Sequence, residues 1–507
     1  MGEPSYAFGE FMLFPGRELL RGGRAVTLGS RALLLLETML AANGGVVTKA
    51  DIMGRVWPGV FVEDGNITVQ IAALRKALGK RRDGRDWIVT VPRLGYRLVR
   101  DDEPASAVAH ADDDRPALAV LPFVNLSGTA AQDYLGDGIV EDLVSAFSRF
   151  KSFAVVSRQS SFAYKGKAID VRDVAQALGV RCMLEGSIRL SGERIRVTTQ
   201  LVDASAGTHL WAESFDGELR GIFEFQDAIT GSVVGLVEPQ IRRAEIERAR
   251  RRPPENAKAY DLFLRALPHF YTNDPAGYVT ALTDLERAVK LQPDYALALA
   301  YASWSLMRRV TVSLRALRPD EQARALELAQ AALQHGADDP VVLAICGHSL
   351  ICAGMRAEGL ASVRRGLAAN PHNVLVQAQG GTCNMLVGDL AEAEACYRRV
   401  HRLSRGAPEA YEALAGIGFT RFFAGEYDDA LQWFDQSRAS LREWPPVYWL
   451  TIASYAHMGR LDEARTMLSR LVGFAPQTSL AGIRLIAARS DGRWDRVVSG
   501  LAEAGLR

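Results

Sequence analysis

Residues 64–78 are predicted to form a helix with two chemically different faces. One face is an apolar stripe made of Ile67, Ile71, Leu74 and Leu78. The spacing of four, three and four residues places this stripe on one side of a helix. At about 100° per residue, the opposite face and its flanks carry small, polar and basic side chains. These are Asn66, Thr68, Val69, Gln70, Ala72, Ala73, Arg75, Lys76 and Lys80.

The outward face of this helix has the chemistry of a surface that fits a DNA groove. Basic and amide side chains bind phosphates, and small apolar groups can contact the methyl groups of thymine. The alternative is an ordinary amphipathic helix with a solvated basic side. For this helix considered by itself, both interpretations stay open.

A second basic element follows the helix. Residues 87–99 are predicted to form two strands around a tight Pro-Arg-Leu-Gly turn, with Arg93 at its tip. Nine basic and two acidic residues lie between Arg75 and Arg100, and residues 1–100 hold 15 basic against 9 acidic residues. Because 60 basic and 59 acidic residues give the whole chain a formal charge of +1, only this local excess indicates a polyanionic partner.

Several short elements precede the helix and must position it. Residues 6–14 and 25–28 are predicted to be strands. Ser30 is predicted to cap a first helix and Thr48 a second one, while Gly79 is expected to end the helix 64–78.

Residues 6–99 resemble the winged helix-turn-helix of the OmpR/PhoB response-regulator effector family. The resemblance depends on a leucine-rich first helix, Val-Trp-Pro at 56–58, Ile-x-x-Leu-Arg-Lys-x-Leu-Gly at 71–79 and Thr-Val-Pro-Arg-x-Gly-Tyr-Arg at 90–97. It implies that the helix 64–78 enters the major groove and that the hairpin, the wing, reaches the neighbouring minor groove.

The resemblance also implies roles for single residues. The implied phosphate anchors are Asn66, Gln70, Arg75 and Tyr96. The residues implied to face bases or the minor groove are Val69, Ala73, Thr90 and Arg93. Many family members carry arginine where this chain has Ala72 and Ala73, so guanine readout from those positions is not expected. The alternatives are that the base sequence is read through DNA shape, that it is read through methyl contacts, or that it is read only weakly.

The middle of the chain has an α/β pattern. Residues 101–115 are predicted to be an acidic linker, because residues 101–114 hold six acidic residues and neither lysine nor arginine. Residues 116–252 follow a β-α-β-α-β-β-β order and resemble the TolB-like amino-terminal domain through Leu-Pro-Phe at 121–123, Gly-Asp-Gly-Ile at 136–139 and Leu-x-Gly-Ser-Ile at 184–188. The resemblance implies an interaction module. Six arginines and two glutamates within 242–252 are expected to form a solvated helix end, with an auxiliary phosphate contact as the alternative.

Residues 256–507 repeat. A glycine followed five positions later by a small residue recurs at Gly354, Gly388, Gly425, Gly459 and Gly492, at spacings of 34, 37, 34 and 33 residues. This period resembles tetratricopeptide repeats and predicts six or seven helix pairs with a groove for a protein or peptide. Three aromatic residues are expected in the repeat core, with a groove-lining role as the alternative: Trp444, Tyr448 and Trp449.

Catalysis, metal binding and membrane insertion are not expected. Neither GxSxG nor HExxH occurs, and Gly136-x-Gly138 lacks the remainder of a phosphate-binding loop. Cys346 and Cys352 lie about 120° apart on one helix, so they cannot chelate a metal together and are expected to be buried hydrophobic residues. The amino terminus lacks the features of a signal peptide, and the longest apolar stretch, 32–42, is interrupted by Glu37 and Thr38. We expect a cytoplasmic protein with no cofactor.

Together these features predict a multidomain α+β chain. It consists of a winged helix at 1–100, the linker at 101–115, a TolB-like α/β domain at 116–252 and an all-α tetratricopeptide solenoid at 256–507. The expected function is transcription regulation, with double-stranded DNA as one partner and a protein or a signal at the repeats as the other input. RNA polymerase and a second copy on DNA stay open as further partners. Because the winged helix begins at residue 6, no receiver domain is expected before it, and input is expected from the carboxy-terminal side. The alternative is a repeat scaffold that only tethers to DNA non-specifically.

Overall fold

The computed structural model describes residues 6–42, 47–57, 64–80, 86–91, 95–98, 115–127, 132–167, 170–253, 257–272, 275–403, 410–487 and 492–507. The chain divides into two compact units, Met1–Asp113 and Asp114–Arg507. The predicted acidic linker lies outside the described residues, except for its last position, Arg115.

The first unit begins with a four-stranded antiparallel sheet. Its strands are β1 (Tyr6–Phe8), β2 (Phe11–Phe14), β3 (Glu18–Arg21) and β4 (Arg24–Val26), which pair in chain order. The predicted strand at 6–14 is two strands joined by a turn, and β3 was not predicted. Strand β3 is only four residues long, Glu-Leu-Leu-Arg, and only Leu19 is fully buried. Its alternation of buried and exposed residues is therefore too short to indicate a strand.

Three helices follow, and their ends only partly match the predicted caps. They are α1 (Ser30–Ala41), α2 (Lys49–Val56) and α3 (Asp64–Leu78). The prediction for Ser30 was wrong: it is the first residue of α1, the capping position is Gly29, and no side chain caps this end. Thr48 does cap α2, because its hydroxyl accepts a hydrogen bond from the Asp51 amide at 3.1 Å. Gly79 follows α3 with φ of +67°, as expected for a helix-ending glycine.

A three-stranded sheet completes the first unit. Strand β7 (Gly95–Leu98) lies between β5 (Val47–Thr48) and β6 (Ile88–Val91), in antiparallel pairing with both. Gly95 is required here, because a Cβ at this position would lie 1.9 Å from the carbonyl oxygen of Val47. The wing is therefore held against the strand that precedes α2.

The second unit begins with a six-stranded sheet. Its strands are β8 (Ala117–Val120), β9 (Val124–Asn125), β10 (Ala154–Val155), β11 (Cys182–Ser191), β12 (Arg194–Asp203) and β13 (Thr208–Glu218). The order is β10-β8-β11-β12-β13, with β9 also pairing with β11. The predicted α/β pattern is confirmed, while β9 and the short helix α5 (Arg158–Phe162) were missed.

Helices cover both faces of this sheet. On one face, α4 (Asp133–Phe147) and α7 (Ile222–Arg251) share a core with the central strands, in which Phe147, Val197 and Val233 are fully buried. On the other face, Val174 and Ala175 of α6 (Val171–Leu178) pack against Met183.

Part of the carboxy-terminal end of α7 forms an ion cluster, while Arg243, Arg250 and Arg251 are exposed, as the solvated end predicted from the arginine run requires. Arg181 Nη1 lies 2.7 Å from Glu245 Oε1, and Arg248 contacts Glu245 at 2.9 Å. Asp261, in the first helix after α7, is 1% exposed and binds Arg252. The cluster was not predicted because Arg181 lies 64 positions before Glu245 and because the carboxylates of Glu245 and Asp261 are buried.

The rest of the chain consists of helices that pack in antiparallel pairs around small residues. The helices are α8 (Ala259–Ala266), α9 (His269–Thr272), α10 (Pro275–Leu291), α11 (Ala296–Ser313), α12 (Pro319–His335), α13 (Pro340–Cys352), α14 (Arg356–Ala369), α15 (Val374–Val387), α16 (Leu390–Leu403), α17 (Ala410–Ala424), α18 (Tyr427–Ser440), α19 (Pro445–His457), α20 (Leu461–Phe474), α21 (Leu480–Ala487) and α22 (Asp495–Glu503).

The predicted repeat pattern is confirmed. In the described part of the chain, seven helix pairs run from α8 with α10 to α21 with α22. All five predicted turn glycines have positive φ, between +74° and +99°. The small residue five positions after each glycine is buried, and Gly359 shows why: a Cβ there would lie 2.5 Å from the carbonyl oxygen of Gly347. The region resembles a tetratricopeptide solenoid.

The core interpretation of the repeat aromatics is also confirmed. Trp449 is 1% exposed, and Trp444 and Tyr448 are 8% exposed. Cys346 is fully buried, as the hydrophobic interpretation predicted, while Cys352 is half-buried.

The repeats curl so that the second pair meets later ones. Leu314, after α11, contacts Gly482 in α21, where an added Cβ would lie 2.7 Å from the Leu314 Cβ. Arg308 Nη2 lies 3.6 Å from Glu412 Oε1 in α17, and its Nε donates to the Tyr278 hydroxyl at 3.2 Å. The contacts of Leu314 with Gly482 and of Arg308 with Glu412 join residues about 100 to 170 positions apart, so they were not predictable from the repeat period.

Helix α7 also packs against the fourth repeat pair. A Cβ at Gly235 would lie 2.6 Å from the carbonyl oxygen of Leu403, and one at Gly231 would lie 3.4 Å from His372 Nδ1. Burial, followed by the positive charge of Arg149, lowers the pKa of His372 below its ordinary value, although Asp227 opposes this shift. The neutral imidazole is thus the form that fits this contact.

In the described part of the chain, no helix is both long and apolar enough to cross a membrane.

Candidate nucleic-acid interface

Helix α3 presents the two faces that its sequence predicts. The stripe is completely buried, with exposures of 0% for Ile67, 1% for Ile71, and 0% for Leu74 and Leu78. It packs with α1 and the wing strands in the core of the first unit. Burying four large aliphatic side chains stabilises the helix by about 1.5–3 kcal/mol each relative to exposure. This burial fixes which face of α3 points outward.

The outward face of α3 is exposed and has a hydrophobic centre. Val69 is 62% exposed, and its neighbours Asn66, Thr68, Ala73 and Lys76 are exposed as well. In the described part of the chain, the side chains of Asn66, Thr68 and Lys76 make no hydrogen bond or ion pair. Their donors and acceptors are available to an external partner.

Gln70 and Ala72 complete this surface. Gln70 is half-buried on one flank, and Ala72 is exposed beside Ala73. Small side chains at two successive outward positions allow the helix backbone to approach another surface closely.

Arg75 is the residue whose environment the sequence did not predict. Its Nε and Nη2 donate to the carbonyl oxygen of Ile88 at 3.1 and 3.0 Å, and Nη2 also donates to Thr90 Oγ1 at 2.9 Å. The guanidinium therefore ties α3 to the first wing strand. Within the described residues, its Nη1 donors have no partner. Nη1 is therefore the part of this guanidinium that the contacts to the wing leave unused.

The wing is held at its base by several further contacts. Thr90 is exposed and pairs with Tyr96 across β6 and β7. Tyr96 is only 7% exposed and belongs to the core of the first unit, so most of its ring is not accessible to DNA. Lys80 and Asp86 form a 2.9 Å ion pair between the end of α3 and the start of the hairpin. The turn with Arg93 lies outside the described residues.

Aromatic packing attaches the hairpin to the amino-terminal sheet. The Trp87 ring, 3% exposed, meets Phe8 and Phe11 edge-to-face, with ring centroids 5.4 and 5.6 Å apart. The sheet β1–β4 therefore supports the wing. This supporting role was not predicted from the sequence.

The arrangement brings helix and wing residues to one side of the unit. Arg75 and Thr90 are in direct contact, and Val69, Ala73 and Lys76 share the outward face of the same helix. A rigid helix with a small apolar centre and basic edges can lie in a major groove, where thymine methyls meet apolar groups and phosphates meet cations.

Two family models match parts of the chain. Residues 23–98 match the model described as "Transcriptional regulatory protein, C terminal", and residues 114–231 match "HilA/YgeH-like transcriptional regulator, second domain". The first match confirms the OmpR/PhoB-type winged helix as a transcription-regulator domain. The second describes the middle segment differently from the TolB resemblance, which stays a prediction.

Several curated relatives are similar to parts of the chain. A putative adenylate cyclase 3 of Rhizobium meliloti is 37% identical over 226 residues, which cover 45% of this chain and 38% of that protein. The transcriptional activator CadC of Escherichia coli is 32% identical over 101 residues, 20% of each chain. The transcriptional regulator HilA of Salmonella typhimurium is 30% identical over 118 residues, which cover 23% of this chain and 21% of that protein. The chain thus spans less than two fifths of these relatives.

Among solved structures, a tetratricopeptide repeat protein from Parabacteroides merdae is similar, at 15% identity and a TM-score of 0.30. The match covers 48% of this chain and 91% of that one.

Proposed function

We propose that this protein regulates transcription by placing α3 in the major groove of promoter DNA, with the wing in the adjacent minor groove. The main support for the proposal is the exposed face of α3. On this face Val69 is 62% exposed, and it lies among polar and basic side chains that have no partner within the described residues. What distinguishes this face is the combination of a small apolar centre with polar and basic edges, which is the chemistry that thymine methyls and phosphates require. The winged-helix match and the relatives named as transcriptional regulators support the choice of DNA as this partner.

The residues on this surface divide into three proposed roles. Val69 and Ala73 contact bases, and Asn66, Thr68, Gln70 and Lys76 bind the phosphates on either side. Arg75 positions the wing through Ile88 and offers its remaining donors to a phosphate. Thr90 and Arg93 face the minor groove, while Tyr96 supports Thr90 from the core.

The repeats supply the input in this proposal. Their predicted groove binds a protein or peptide partner, or senses a signal, and thereby changes transcription at the bound promoter. RNA polymerase and a second copy on DNA are further partners that fit the same role. We propose no catalysis and no cofactor: the chain covers only 38% of the relative named as a cyclase, and both family matches are to regulators.

A genome-wide footprint of the full chain tests this function against the scaffold alternative. The wild type is expected to give discrete promoter peaks, and Val69→Glu should abolish them, because a carboxylate in the groove would face the phosphates. The matched control is Val279→Glu, since Val279 is also a helical valine and is 52% exposed, in α10 of the second unit.

The two functions predict opposite results. Diffuse signal for the wild type, or unchanged peaks in Val69→Glu, would favour the scaffold with non-specific tethering. A fragment ending near residue 105 is expected to keep its peaks but to lose their response to growth conditions. If that fragment responded like the full chain, the input would not come from the repeats.

A further inference from the structure

The second unit contains a cleft that no sequence motif indicated. It has a volume of about 740 Å³ and lies along α7, between that helix, the edge strand β13, and two residues of the repeats, Pro268 and Arg402. Small-molecule sites in proteins have volumes of roughly 300–1,000 Å³. The cleft is therefore of the size that a single organic ligand fills.

One part of the lining is apolar and largely aromatic. Its members are Trp211, Phe215, Phe225, Leu236 and Pro239. The three aromatic residues are only half-buried, so part of each ring faces the open space. Flat hydrophobic walls of this kind favour the body of an aromatic or aliphatic molecule.

The charged lining contains two cations that no carboxylate among the described residues neutralises. Four arginines face three carboxylates around the cleft: Arg242, Arg243, Arg250 and Arg402 with Glu213, Asp216 and Glu247. Most of these are already paired, since Arg250 binds Glu247 at 2.9 Å, Asp216 binds Arg196 at 2.7 Å, and Arg242 lies 3.9 Å from Glu238.

Arg243 and Arg402 are the exceptions. Within the described residues, neither side chain has an ion pair or hydrogen bond, and both are exposed. Glu213 is the one lining carboxylate in the described chain that is likewise unpaired. The unpaired charges of the lining therefore leave an excess of one positive charge.

The backbone adds an acceptor to the same wall. Pro239 lies inside α7 and has no amide hydrogen, so the carbonyl of Gly235, four residues earlier, lacks its usual helical donor. Both residues line the cleft. A ligand that carries a hydroxyl or amide hydrogen would satisfy this oxygen.

We propose that this cleft binds a small amphipathic anion, whose apolar body lies against Trp211, Phe215 and Phe225 and whose carboxylate or phosphate binds Arg243 and Arg402. The site is formed by both the α/β part and the repeats, so an occupant adds contacts to both and stabilises the unit by mass action. It gives the protein a chemical input that requires neither DNA nor a protein partner.

Calorimetric titration of the full chain with three naphthalene probes tests the proposal. 1-Naphthoate and 1-naphthyl phosphate carry the two head groups, and 1-naphthalenemethanol is their neutral counterpart. One equivalent of at least one anion is expected to bind, about tenfold more tightly than the alcohol, because only the anions form charge-assisted hydrogen bonds with Arg243 and Arg402. The anion that binds more tightly identifies the preferred head group.

Variants locate the binding site. Arg243→Ala and Arg402→Ala should each weaken anion binding about tenfold. Arg251→Ala is the matched control, because Arg251 is an exposed arginine of α7 that does not line the cleft, and it should bind like the wild type. Ala228→Trp, which adds bulk at an exposed lining position, should abolish binding of all probes.

Three results would overturn the proposal. These are no binding of either anion at millimolar concentration, equal binding of the anions and the alcohol, and anion affinity unchanged in both arginine variants. The comparison of probes uses only the wild type, so it decides the question even if a variant fails to fold. Failure here leaves the proposed DNA-binding function untouched, because the two tests probe residues that lie in different units of the chain.

Discussion

Replacing Arg75 with alanine is expected to destabilise the winged helix as well as weaken DNA binding. The guanidinium makes two hydrogen bonds to Ile88 O, at 3.0 and 3.1 Å, and one to Thr90 Oγ1 at 2.9 Å. A hydrogen bond to a charged group contributes about 1.5–3 kcal/mol. Because the side chain is half-buried and water can rehydrate the carbonyl, we expect a total loss of about 2 kcal/mol.

The stability of a fragment ending near residue 105 provides the assay. For a domain of this size, about 2 kcal/mol corresponds to a decrease in Tm of roughly 8–16 °C. Arg75→Lys should recover only part of it, since an ammonium group cannot form the same fork of hydrogen bonds. Lys76→Ala is the matched control: Lys76 is an exposed cation on the same turn, so its loss should reduce the salt dependence of DNA binding by about one unit without changing Tm.

The same titrations can refute this assignment. If Arg75→Ala kept the wild-type Tm and reduced the salt slope by about one unit, like Lys76→Ala, Arg75 would be a phosphate ligand and its contact with the wing would contribute nothing. If Tm fell while the salt slope stayed unchanged, Arg75 would act only by positioning the wing.

Three further predictions concern the second unit. His372 has a lowered pKa, so the stability it contributes is present above about pH 6.5 and is lost as the pH falls below that value. In urea titrations at pH 7.5 and 5.5, the free energy of unfolding of His372→Gln should therefore decrease less between the two pH values than that of the wild type. Gly359→Ala should lower the free energy of unfolding by about 1–3 kcal/mol, because the added methyl group overpacks two helices. Gly473→Ala, whose added methyl group has nothing within 4 Å, should be neutral or slightly stabilising in the same titrations. Asp261→Asn should lower the free energy of unfolding by about 1–3 kcal/mol, because the half-buried guanidinium groups of Arg248 and Arg252 lose a buried charged partner. Asp462→Asn, at an exposed aspartate, should cost less than about 1 kcal/mol. If calorimetric melting gave the same Tm change for both variants, the ion cluster would contribute little.

The features that were predictable from sequence are those encoded over a few residues. The bounds of α3 follow from its apolar stripe and from Gly79, and the helix pairs follow from five glycines near a period of 34 residues. Thr48 could be assigned because a threonine cap acts on an amide three residues away. In each case the physical cause and its effect lie within one turn or one hairpin.

Most of the features that were missed depend on residues in other elements of the chain, and one depends on the residue at which a helix begins. Arg75 looked like a free cation because nothing near it in the chain indicates the Ile88 carbonyl. Ser30 has the residue type of a cap, but the chain enters α1 one residue earlier, at Gly29. The arginine run after residue 241 looked solvated because Asp261 and Arg181 come from other elements.

The candidate site was predictable in its positions more than in its roles. Sequence periodicity placed Val69, Ala73 and Lys76 on an outward face, and the structure exposes all three. The family resemblance implied that Tyr96 is a phosphate anchor, whereas most of its ring is buried. Periodicity describes one helix at a time, so it cannot show that Arg75 of α3 already donates hydrogen bonds to the first wing strand.

Helix α7 explains why the α/β part and the repeats behave as one unit. Its apolar side completes the core of the sheet, Gly235 lies against the end of α16, and its last turns join Glu245 and Asp261 through arginines. The sheet and the first repeat therefore cannot separate without exposing paired charges that are costly to leave alone. Because the same helix forms one wall of the cleft, an anion bound there contacts the element that holds both parts together. A chemical signal and a protein bound to the repeats would thus act on a single structural unit, and their effects on its stability should be coupled.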